Sequence, residues 1–154
     1  MKKKIMLVAL VASLFSVTGL DQVFAHDEGH GPKLTDAGKK GGIVSPVIRA
    51  ADAKKGGKAE LLYKAELVRS DDGVKVYVYD KEMNAVDLSK FEAKAKGVVE
   101  SKKQKKWTQT PFDLVLEGDA FNGKAPAPAK KPFNIDVKLK MGGQELLAAF
   151  DNLD

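Results

Sequence analysis

From residue 42 onward, apolar and polar residues alternate with a period of two, the spacing of half-buried β-strands. The clearest run is Phe133, Ile135, Val137, Leu139 and Met141, interleaved with Asn134, Asp136, Lys138 and Lys140. Gly142-Gly143 then reverses the chain in two residues, and Leu146, Ala148 and Phe150 return on the same face. Pairing across that turn sets Leu139 against Leu146, Val137 against Ala148 and Ile135 against Phe150. A slip of one residue would turn this whole face to water, so the register is well specified.

Residues 59–68 and 74–79 read as a second hairpin around Ser70-Asp71-Asp72-Gly73, where Asp-Gly supplies the positive φ of a tight turn. Residues 91–101 and 107–116 read as two further strands joined by the lysine-rich turn 102–106. Residues 42–49 form a first strand, which Pro46 confines to an edge or a bulge. The segment 50–58 reads as a loop, and 123–132, with three prolines, as an extended connection. Trp107, at the head of its strand, is expected to anchor the core. No long run shows helical spacing. The predicted fold is all-β, an antiparallel immunoglobulin-like β-sandwich of about seven strands.

The first residues follow another logic. Lys2, Lys3 and Lys4 precede an apolar run from Ile5 to Leu20, and Val23-Phe24-Ala25 carries the spacing of a cleavage site. This is the pattern of a secretory signal peptide, and the run is too short and too rich in hydroxyls for a spanning helix. The predicted organisation is a signal peptide over 1–25, a flexible His- and Gly-containing tail over 26–41, and a β domain over 42–154. The exported protein is expected in the periplasm or outside the cell, with no lipid anchor and no stable membrane insertion after cleavage.

Composition narrows the chemistry. The chain has no cysteine, two histidines and a formal net charge of +5. That excludes a disulfide scaffold, a thiolate metal site and a cysteine nucleophile. Phosphate loops and dinucleotide fingerprints are absent, both histidines fall in the tail, and the surplus charge is too small to imply a nucleic-acid partner. A non-enzymatic protein is expected, with no catalytic residues.

Cleavage after Ala25 would make His26 the first residue, so that its α-amino nitrogen and imidazole chelate one cation together. His30 follows four residues on, with Asp27 and Glu28 between them as oxygen donors. Such a nitrogen-rich set favours Cu(II), then Ni(II) and Zn(II). Three lysine clusters are also notable: Lys54, Lys55 and Lys58; Lys102, Lys103, Lys105 and Lys106; and Lys124, Lys130 and Lys131. They either protect strand edges as solvated turns or face anionic headgroups or an acidic partner.

Gly41-Gly42-Ile43-Val44, the AELV of residues 65–68, the DDGVKVYVYD of 71–80 and the closing FNIDVKLKMGGQELLAAF resemble a small periplasmic β-domain family. That family occurs alone or attached to the periplasmic adaptors of resistance-nodulation-division heavy-metal efflux systems. The resemblance implies an efflux-system adaptor or another envelope protein as partner. It also implies histidines before the Gly-Gly pair and two residues before Glu-Leu-Val, where this chain has Lys40 and Lys64. Two functions are therefore expected: metal handling by the tail as an accessory to efflux, or a metal-free interaction module docking through sandwich edges or lysine-rich loops.

Overall fold

A computed structural model describes residues 31–154. Its strands are β1 (Ile43–Arg49), β2 (Tyr63–Ser70), β3 (Gly73–Tyr79), β4 (Lys94–Lys103), β5 (Lys106–Glu117), β6 (Ala120–Gly123), β7 (Phe133–Met141) and β8 (Gln144–Leu153). Neighbouring strands are antiparallel, and the order around the wall is β1-β2-β3-β6-β5-β4-β7-β8. The last strand pairs back onto the first through Val47 with Ala148, Ile48 with Leu147 and Arg49 with Leu146. The sheet is a closed barrel, which corrects the expected sandwich. Alternation identifies which face of each strand is buried. It does not say whether that face meets a second sheet or the far side of its own.

The expected C-terminal register is the observed one: Leu139 faces Leu146, Val137 faces Ala148 and Ile135 faces Phe150. Gly142 and Gly143 both take positive φ, at 56° and 77°, as a two-residue reversal between twisted strands requires. The short β6 has no signature in the sequence, because four residues carry too little periodicity. Its Phe121 is nonetheless among the largest fully buried side chains.

The barrel interior is filled by apolar side chains. Val47, Leu67, Val76, Leu114, Phe121, Ile135, Leu139, Leu146 and Phe150 belong to one cluster of buried apolar side chains drawn from both halves of the chain. Eight strands enclose a space about wide enough for side chains to fill. The outer positions of the wall carry Lys94, Lys96, Asp113, Lys138, Lys140 and Glu145. Apolar inside and charged outside is the reverse of a membrane-spanning barrel. A second, smaller cluster lies on the outer wall, where a 3₁₀ segment (Ala50–Lys58) places Ala53 over Ile48 and Leu147 with Ala59 beside them.

Two prolines mark where the wall is paired on one side only. β1 contacts β8 over Val47–Arg49, which leaves Pro46 outside that pairing. β5 contacts β6 over Leu114–Glu117, which leaves Pro111 outside it. Pro46 thus occupies a local free edge of β1, as a residue without an N–H requires, although the strand as a whole is closed into the barrel. Beside it the Ser45 hydroxyl donates to the Ala149 carbonyl, linking β1 to β8 by a side chain. Trp107 is 40% exposed near the tip of the β4–β5 hairpin and is no core anchor. Its position beside a tight turn carries it past the packed interior.

Candidate functional site

The predicted metal ligands His26, Asp27, Glu28 and His30, and the cleavage site, lie outside the described residues. Among the described residues no group of three or more His, Asp or Glu is placed to hold a metal ion. What the structure does place is a buried carboxylate, a groove beside it, and a lysine-rich barrel end.

Residues 31–42 lie against the outer wall of β1, β2 and β3. Their anchor is Glu66, which alternation points outward from β2 but which is fully buried. Its carboxylate accepts the backbone N–H groups of Lys39 at 2.9 Å, Lys40 at 2.8 Å and Gly42 at 2.7 Å, and the Tyr79 hydroxyl at 2.9 Å. Glycine is needed in this cradle. A Cβ on Gly38 would strike the Glu66 carboxylate, and one on Gly42 would strike the Leu67 carbonyl. Burial alone would raise the Glu66 carboxyl, but hydrogen bonds from Gly42, Lys40, Tyr79 and Lys39 outweigh it and hold the group below its ordinary value of 4.5. The Tyr79 hydroxyl is pushed above its ordinary value, by burial first and then by its bond to Glu66. A second tie is the ion pair between Lys64, nearly buried, and Asp36 at 2.8 Å.

The same cradle sets Lys39 over the Tyr79 ring, at 5.9 Å, and Lys40 over the Tyr77 ring, at 5.3 Å. These four residues line an outer groove of about 520 Å³ together with Val86, Leu88 and the Gly118-Asp119 turn. Lys40 and Lys64, where the resemblance implies histidine ligands, thus lie on either side of Glu66. They do not fit a metal. The Lys64 ammonium is ion-paired, Lys40 lies over an aromatic face, and both Glu66 oxygens are engaged by N–H and O–H donors.

The lysine clusters are sorted by the barrel. Antiparallel pairing puts the β2–β3 turn, the β4–β5 hairpin, the 124–132 connection and the C-terminus at one end. Lys102, Lys103, Lys105 and Lys106 therefore share an end with Lys124, Lys130 and Lys131, and all are exposed. The Ala129 N–H donates to Ser101 Oγ at 3.0 Å, tying the connection to the hairpin base. Among the described residues none of these lysines is ion-paired. Asp71, Asp72, Asp151 and Asp154 occupy the same end on its β2–β3 and β8 side. Lys54, Lys55 and Lys58 fall at the opposite end, where Lys55 pairs with Asp52 at 2.8 Å. Linear spacing hides this sorting, because it needs the β4–β7 pairing that sets Ser101 beside Phe133.

No family model matches the chain, and neither a curated protein nor a solved structure matches it.

Proposed function

We propose that this is an exported, non-enzymatic envelope protein that docks on an anionic surface through one end of its barrel. One observation carries the reading: lysine clusters about twenty residues apart in sequence share a single end, free of ion pairs among the described residues, while the third cluster lies at the other end beside carboxylates. The closed wall bears on the docking mode too, since a barrel has few free edges for strand addition. Lysine is suited to this work. It offers a compact charge on a flexible stem and attracts anions without demanding one geometry.

The test compares two variants of equal net charge on an anionic matrix. Lys102→Glu/Lys105→Glu/Lys106→Glu alters the proposed end, and Lys54→Glu/Lys55→Glu/Lys58→Glu alters the other. The first is expected to elute at much lower salt than the second. Equal elution would mean that total charge alone governs binding, and the reading would fall.

A second reading is favoured by the position of His26 directly after Ala25. In it the tail from His26 to His30 chelates Cu(II), Ni(II) or Zn(II) as an accessory to efflux. Cu(II) titration of the secreted protein and of its His26→Ala/His30→Ala variant tests this directly. Equal affinity in the two proteins would remove it.

A further inference from the structure

The docking end has a tip with its own chemistry. β4 and β5 pair from Lys94 with Val115 out to Lys103 with Lys106, while β6 covers β5 no further than Leu114. β7 covers β4 as far as Ser101, opposite Phe133, so the hairpin projects past the wall from Lys102 to Trp107, and every residue from 102 to 111 is exposed. Residues 101–112 contain four lysines and no Asp or Glu. Gln104 and Lys105 form a tight turn with φ of 48° and 68°, which sets Lys103 opposite Lys106 at the end of a short ribbon. Directly across the ribbon from Lys102 stands Trp107, the protein's one tryptophan. Lys130 and Lys131 lie alongside, where β7 begins next to the end of β4.

We infer that this tip seats on an anionic phospholipid surface, with its lysines among the headgroup phosphates and Trp107 at the headgroup level. The inference rests on the docking reading above and names its partner. Charge complementarity points to phosphate-bearing headgroups, because the tip offers several exposed ammonium groups and no guanidinium fork for one fixed carboxylate. The tryptophan separates a lipid from an acidic protein. An indole has an apolar body and one N–H donor, the combination enriched where hydrocarbon meets water. A projecting ribbon can reach a membrane surface while the charged barrel wall stays in solvent.

Trp107 is also the reporter, since no other tryptophan contributes to the emission. The purified protein is mixed with phosphatidylcholine vesicles, with and without about one-third phosphatidylglycerol. Vesicle binding is read by sedimentation, and insertion by the emission maximum. The expected result is binding and a blue shift on the anionic vesicles only, weakening as salt rises. Each lysine replaced by glutamine at Lys102, Lys105 or Lys106 should weaken binding about fivefold, whereas Lys54→Gln should not. Trp107→Phe should weaken binding but leave its salt dependence intact. Failure of the wild-type protein to bind anionic vesicles, or equal binding to neutral ones, would overturn the lipid assignment. If the anionic-matrix comparison still separates the two triple variants, an acidic protein partner replaces the membrane. If it does not, the docking reading has failed as well.

Discussion

Glu66 Oε1 accepts the backbone N–H of Lys40 at 2.8 Å, although 26 residues separate the two. A carboxylate on the outside of the second strand thereby fastens the segment that leads into the first. The bond is charge-assisted, and two further N–H groups and a tyrosine hydroxyl surround the same carboxylate. Replacing Glu66 with alanine should cost about 2–3 kcal/mol, limited because the freed N–H groups can turn to water. Chemical denaturation gives the loss. Faster amide exchange at Lys39, Lys40 and Gly42, with the barrel strands unchanged, would show that the strap alone has been released.

The same carboxylate makes stability depend on acidity. Because the folded-state group ionises below its ordinary value of 4.5, its contribution is complete above that value and is lost as pH falls through the lower folded value. The wild-type melting temperature should therefore drop more steeply below about pH 4.5 than that of Glu66→Gln, which has no proton to gain there. Asp52 and Asp113, lowered chiefly by Lys55 and Lys96, titrate in both proteins, so the difference isolates Glu66. The opposite sign applies to Tyr79. Its raised hydroxyl contributes fully below pH 10 and loses that contribution as pH climbs through the folded value.

Gly97 is fixed by its partner across the β4–β5 ladder. It stands opposite Phe112, whose ring lies where a Cβ on Gly97 would be. Gly97→Ala should cost about 1–3 kcal/mol by displacing the ring into a packed core. Adding Phe112→Leu should return part of that loss if the ring is the obstacle. A double-mutant cycle in urea measures it, and strict additivity of the two changes would refute the explanation.

At the hairpin tip, Gln104 and Lys105 hold positive φ without being glycine or asparagine. Asn-Gly suits such a turn far better. Gln104→Asn/Lys105→Gly should raise stability by about 0.5–1 kcal/mol, read from the thermal midpoint. The inferred lipid affinity should fall only by the share of the one lysine removed. A protein that sacrifices turn stability to keep a lysine at its apex would show both effects together.

Much of the local structure was legible along the chain. Two hairpins, their turns and the C-terminal register follow from alternation and from Gly-Gly and Asp-Gly, because side-chain parity and positive φ are properties of neighbouring residues. The short β6 was not legible, since Ala120–Gly123 is too brief to show a period. Nor was Glu66. Alternation marks it as solvent-facing, and only the strap folding over it from 24 to 27 residues away makes it buried. Trp107 misled for a similar reason, because its strand continues beyond the core that a strand-leading tryptophan is expected to anchor.

The sequence by itself determined that the domain from residue 42 onward is all-β, which side chains of each long strand are apolar, and where the last hairpin turns. Tertiary structure decided that the sheet closes, because closure rests on Val47 meeting Ala148 about a hundred residues later. It also decided which lysines act together. Charges combine by distance in space, and strand order around a barrel sets that distance independently of separation along the chain.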